Sequence, residues 1–266
     1  MILDPVHRIA FVHVPKCAGT TIRNWLRPAL GCDNSWAGPS RHPAFGPYHR
    51  AHVPLEVLRD HFPQAYDDLR ACRAFALCRA PGPRFQSALA QHLREFHDCS
   101  LTQMSPEARA QAARRVIDRL TSDKAYDYLE MVHFLKQSDF IECQGARVVG
   151  EVFAIERLSE AIEAIAGATG LETRPPQEKA NETRQIRLPS AAPLMRRGRK
   201  LAEAVLPQQA FRAVHGRAFR MLTRAQTAER PDTGLPDDVL EFVNRHYRRD
   251  HEIHAAALEP RPAPVS

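Results

Sequence analysis

The run Pro15-Lys16-Cys17-Ala18-Gly19-Thr20-Thr21 puts a cation, a glycine and two hydroxyls between an apolar stretch and a helical pattern. At a strand-to-helix turn, such residues make an anion site. Backbone N–H groups at the helix N-terminus point outward, and the helix dipole favours negative charge. Gly19 would let the backbone approach closely, Thr20 and Thr21 can donate O–H bonds, and Lys16 adds a point charge. Only five lysines occur in the chain, at 16, 124, 136, 179 and 200, so a lysine inside this turn asks for a specific explanation. The nucleoside-triphosphatase loop GxxxxGK[ST] has a different order: here the lysine precedes the glycine and the first glycine is missing.

The elements around the turn form an α/β pattern. Arg8 to Val14 reads as a strand that Pro15 ends, and Gly19 to Leu30 as a helix with Ile22, Trp25, Leu26 and Leu30 on one face. Gly31 to Arg50 reads as a long loop, Pro54 to His61 as a short helix, and Arg73 to Cys78 as a second strand. Helices are expected over Arg84–His97, Ser105–Leu120 (with Ser105 as N-cap and Pro106 first in the helix), Asp123–Lys136 and Leu158–Thr169, the last closed by Gly170. Phe140–Glu142 and Val148–Ile155 read as strands. Strands that alternate with helices predict a mainly parallel sheet flanked by helices on both faces. The character changes after about Pro175: Pro189 to Glu229 is arginine-rich and helical in pattern, Pro231–Pro236 is a linker, and Pro236–Leu258 a last amphipathic helix. The expected organisation is therefore a core over 1–188, a helical insertion or lid over 189–230, a helix over 231–258 packing on the core, and a disordered tail over 259–266.

The order VPKxxGTT resembles the 5′-phosphosulfate loop of carbohydrate O-sulfotransferases that use 3′-phosphoadenosine 5′-phosphosulfate (PAPS), including the heparan-sulfate/uronyl and chondroitin-type enzymes and their bacterial relatives. The stretch ALCRAPGPRFQSAL, Ala76 to Leu89, resembles that family's 3′-phosphate motif, with Arg79, Pro81, Arg84 and Ser87 in register and Ala80 where an acid or amide is usual. An arginine at a strand end and a serine in the next helix can converge on one phosphate. PYHRAHVPLEVL, Pro47 to Leu58, resembles the stretch that supplies the family's base, with His52 the better match and His49 three residues earlier. Gln137 and Ser138, Glu156, Asn181, and the closing helix with Tyr247 and Asp250 match further elements. The resemblance implies a P-loop-like three-layer fold and in-line transfer of a sulfuryl group from PAPS to a carbohydrate or glycolipid hydroxyl, leaving 3′,5′-bisphosphoadenosine (PAP). In that scheme Pro15 to Thr21 hold the 5′-phosphosulfate, and Arg79, Ser87 and Arg84 hold the 3′-phosphate. Lys16 sits on the leaving oxygen and His52 or His49 takes the proton. Gln137, Ser138, Glu156 and Asn181 face the cofactor or acceptor cleft, and no metal is needed.

Composition is compatible with this scheme. The net charge of +6 favours anionic partners. Nucleic acid is one such partner, but aromatics are 7% and no stacking motif occurs. A P-loop kinase is another reading, without a GK[ST] or a Walker-B aspartate to support it. Six cysteines without CxxC spacing suggest free thiols in a reducing compartment, and no signal peptide or membrane-length apolar run is seen, so a cytoplasmic location is expected. Residues 194–224 admit three readings: a solvated face, a lid for an anionic acceptor, or a peripheral membrane-surface helix.

Overall fold

A computed structural model describes residues 1–32, 35–122, 128–171, 184–186, 223–225 and 234–259. The chain divides into two compact units, Met1–Glu178 with Asp232–Ser266, and Lys179–Pro231. The first unit opens with β1 (Ile2–Asp4), β2 (Ile9–Val12), α1 (Gly19–Ala29), β3 (Pro39–His42), β4 (Gly46–His49), α2 (Leu55–His61) and α3 (Pro63–Ala71). It continues with β5 (Arg73–Cys78), α4 (Pro81–Phe96), α5 (Pro106–Leu120), α6 (Tyr128–Met131), β6 (Glu142–Cys143), β7 (Ala146–Arg147), β8 (Glu151–Ala154) and α7 (Leu158–Thr169). In the second unit, β9 (Arg184–Ile186) and β10 (Thr223–Ala225) pair antiparallel. The first unit ends with α8 (Asp237–His246) and α9 (Arg248–Leu258).

The central sheet has the order β1-β2-β5-β8; β2, β5 and β8 are parallel, and β1 is an antiparallel edge. Strand β2 is buried at every position and β5 at all but its first, which is why both read as continuous apolar runs. Helices α1, α3, α7 and α9 pack on this sheet. A second apolar cluster joins α4, α5 and α8 through Phe85, Leu89, Ala113, Val116, Phe242 and Val243. That cluster fixes α4 against the body. Ser105 caps α5 by accepting from the Ala108 N–H, as its sequence predicts.

Several sequence expectations are corrected. The 31–50 loop contains the β3–β4 hairpin. Helix α4 begins at Pro81, three residues early, because proline suits the first helical position. Of the helix expected over 123–136, the described part is α6 followed by a 3₁₀ turn at Val132–Phe134, and Leu135 turns extended. Ser138–Phe140 is a 3₁₀ turn, and among the described residues the short strand that follows pairs only with β7. The last helix breaks at Tyr247 into α8 and α9. Most of the arginine-rich segment lies outside the described residues, and Thr223–Ala225 within it is a strand rather than a helix. Among the described residues no helix is long and apolar enough to cross a membrane, and all six cysteines are free thiols.

Candidate functional site

Parallel pairing puts the carboxyl ends of β2, β5 and β8 on one edge of the sheet, and two helices begin there. Helix α1 starts behind Ala18, and α4 behind Ala80. Neither start has a side-chain cap, and neither has an acid in its first turn. Two sets of helix N–H groups thus face the same edge without the side-chain acceptor that usually satisfies them. Lys16 (φ 65°) and Ala18 (φ 56°) both adopt left-handed backbone, which costs a non-glycine residue about 1–2 kcal/mol. This kinked path turns the chain sharply between β2 and α1. Pro15 is buried within it, and Thr20 and Thr21 are half-exposed in the first turn of α1. Gly19 serves a neighbour: a Cβ there would stand 2.2 Å from Cδ2 of His13.

The Lys16 Nζ donates to Gln91 Oε1 at 2.5 Å. Gln91 lies one turn beyond Ser87 on α4, so the ammonium rests on the helix face that carries the serine. Arg79, half-exposed, directly follows β5, and its backbone is held at both poles by one side chain. Gln137 Oε1 accepts from the Arg79 N–H at 2.9 Å, and Gln137 Nε2 donates to the Arg79 carbonyl at 2.8 Å. The same Oε1 accepts from the Cys17 thiol at 3.2 Å. Below, the Gln137 and Ser138 N–H groups donate to the Asp250 carboxylate at 2.8 and 3.0 Å. Gln137 therefore braces the two loops against each other and against α9. It is fully buried, so the acceptor-contact role implied by the resemblance gives way to a positioning one. Ser138, on the same turn, keeps partial exposure.

Arg84 is likewise redirected. It is 1% exposed, with Nη1 donating to the His133 carbonyl and Nη2 to the Leu135 carbonyl, the guanidinium over the Tyr247 ring and Asp250 at 3.8 Å. It faces the protein interior, where two backbone carbonyls take its Nη atoms. Burial pushes the Cys17 thiol up to about 12, which removes it as a nucleophile.

Four imidazoles gather beside the lysine loop. The ring of His52 lies 4.4 Å from that of His13, 4.9 Å from His49 and 5.6 Å from His133. His52 Nδ1 is 2.9 Å from the His13 carbonyl, which can only accept, so Nδ1 carries the proton and Nε2 keeps its lone pair. His49 is the reverse: its Nδ1 accepts from the Ala51 N–H at 3.2 Å, which puts the proton on Nε2. Burial, then neighbouring positive and imidazole groups, hold His52 and His13 well below the usual histidine range. Burial and the Lys16 ammonium push His133 down to about 3, and burial above all sets His49 at about 4. All four rings are neutral near pH 7.

Lys16, His52, His49, Arg79, Ser87 and the Pro15–Thr21 turn thus belong to one connected region. Glu156, in a 3₁₀ turn after β8, is exposed and pairs with His254 at 3.2 Å. Asn181 lies outside the described residues. Sequence reasoning missed Gln91, His13 and His133. Each is an ordinary residue in an apolar or helical run, and only tertiary packing brings it to the loop. Comparison of the chain with known protein families, with curated proteins and with solved structures finds no match.

Proposed function

We propose that this chain is a sulfotransferase of P-loop-like architecture that moves a sulfuryl group from PAPS to an acceptor hydroxyl, of a carbohydrate or glycolipid. The observation that carries the reading is the pair of uncapped, acid-free helix N-termini on one sheet edge, with Lys16 reaching from the first loop to the second helix. Two separated anion sites bridged by one cation suit a donor with phosphate groups at both ends.

PAPS, when bound, supplies an activated sulfuryl group. The α1 N–H groups with Thr20 and Thr21 would hold its 5′ end, and Arg79 and Ser87 its 3′-phosphate. Lys16 would leave Gln91 for the oxygen on which negative charge builds, a preorganised electrostatic role. His52 Nε2, unprotonated and fixed by the Nδ1 bond, would take the acceptor's proton. Gln137 would keep the two anion sites at constant separation. Net charge on the chain would draw the anionic donor in.

Calorimetric titration of the intact protein with PAP tests the reading. Binding should be unaffected by chelating Mg²⁺, and Arg79→Ala should weaken it. Lys16→Ala should bind PAP within a few-fold of wild type yet lower sulfuryl transfer from radiolabelled PAPS by about 10²–10³-fold or more. A preference for ATP–Mg²⁺, or binding to oligonucleotides alone, would sink the proposal.

A further inference from the structure

Away from the lysine loop, the far end of α4 brings three metal-ligating atoms together. His92 is buried near the end of the helix, and His97 is the residue on which the helix stops. Five residues apart, they would point in different directions on a continuing helix. His97 leaves helical geometry (φ −121°, ψ 3°), and its ring returns to its neighbour. His92 Nε2 lies 3.2 Å from His97 Nε2 and 3.8 Å from Glu130 Oε1 of α6. All three donor atoms fall within 4.8 Å of one another. Around a tetrahedral zinc-type ion with bonds of about 2.0 Å, neighbouring ligand atoms stand about 3.3 Å apart. The His92–His97 pair already has the length of such an edge, the His92–Glu130 pair is about 0.5 Å longer, and the third pair lies within 4.8 Å.

We propose that His92, His97 and Glu130 bind a borderline divalent cation, of which Zn²⁺, Co²⁺ and Ni²⁺ are representative. Two imidazole nitrogens and a carboxylate oxygen select this class over Mg²⁺ or Ca²⁺, which prefer oxygen alone. Without the ion, one of the two facing Nε2 atoms must hold a proton for the other. With it, both must present lone pairs, and the ring proton of His92 can sit on Nδ1, a buried atom with no hydrogen-bond partner among the described residues. Phe96 and Phe134 flank the His92 ring at 5.4 and 5.6 Å and shield one side. The exposed His97 leaves the other side to solvent, where a water or outside ligand completes the shell. The ion would clip the end of α4 to α6. Gln91, the hydrogen-bond partner of Lys16, is the residue before His92, so the clip also steadies the helix against which the lysine rests.

Untagged full-length protein, stripped with chelator, is titrated with Zn²⁺ against a chromophoric competitor and with Co²⁺ by visible absorption. Wild type should take up a single tight equivalent, give the intense d–d bands of a low-coordinate Co²⁺ site, and melt at higher temperature with Zn²⁺ than without. His97→Ala, at an exposed position that the fold does not need, and Glu130→Gln should each weaken Zn²⁺ by about 10-fold or more and cancel the melting shift. His61→Ala, at an exposed histidine elsewhere, should change nothing. Absence of saturable Zn²⁺ and Co²⁺ uptake by wild type would overturn the assignment. So would unchanged affinity in both site variants, or an equal loss in His61→Ala.

Discussion

At the scale of single residues, the two candidate bases are separated by hydrogen-bond logic. A carbonyl cannot donate and an N–H cannot accept, so the partners of His52 and His49 dictate opposite tautomers. Of the two, only His52 combines a protonated Nδ1 fixed on a carbonyl with an unprotonated Nε2. Two-dimensional ¹⁵N NMR of the imidazoles should show His52 as the Nδ1–H tautomer, with no titration as the pH falls from neutral to mildly acid. His52→Ala should lower kcat by about 10²–10⁴-fold and leave PAP affinity nearly intact, while His49→Ala has a much smaller effect. An Nε2–H tautomer at His52, or wild-type turnover in His52→Ala, would refute the assignment. Lys16 and Cys17 show how one turn treats adjacent residues differently. The left-handed backbone sends the lysine out to α4, while the thiol turns inward to the Gln137 amide and is inert.

At the scale of elements, the site depends on a strut that links loop, 3₁₀ turn and helix. Asp250 is fully buried, accepts the Gln137 and Ser138 N–H groups, and lies 3.8 Å from Arg84. Asp250→Ala would strand a buried guanidinium and two amide donors, and should cost about 3–5 kcal/mol in urea unfolding. It should also weaken PAP binding, because Gln137 would lose its footing. A loss below about 1 kcal/mol would remove the strut from the account. How far sequence reaches follows the same division. Arg73–Cys78 and Leu158–Thr169 are legible to the residue, since an apolar run and a helix closed by Gly170 are local signals. The lysine turn is legible because its chemistry is contiguous. Gln137 and Arg84 are not. Both are polar residues in motif positions, and only burial tells a brace from a ligand. The break at Tyr247 is equally hidden: no glycine or proline marks it, and the Tyr247 hydroxyl's bond to the Phe134 carbonyl at 2.6 Å is a tertiary event.

At the scale of the whole molecule, the imidazole cluster gives folding a pH dependence. A histidine whose folded pKa lies below its unfolded value near 6.5 takes up a proton on unfolding. Stability is complete above pH 6.5 and falls as pH drops below it, by about 1.4 kcal/mol per pH unit for each such group. His13, His49, His52 and His133 all act this way, down to about pH 4 for His49 and about pH 3 for His133. Asp139 opposes them: burial raises its pKa from 3.8 to about 6, so it favours the folded state as pH falls through that interval. Four imidazoles against this one carboxyl leave a net loss. Calorimetric melting should decline steeply from about pH 6 toward 4, and His133→Gln should flatten the slope. An equal melting temperature at acid and neutral pH would contradict it. The strut has a temporal side as well. Gln137 rests on a carboxylate that lies 113 residues farther along the chain. A ribosome that has delivered both lysine and arginine loops has not yet delivered the group that holds their brace. The nascent chain must therefore carry Gln137 without this support until α9 emerges, so the two loops are braced only after that helix has been made.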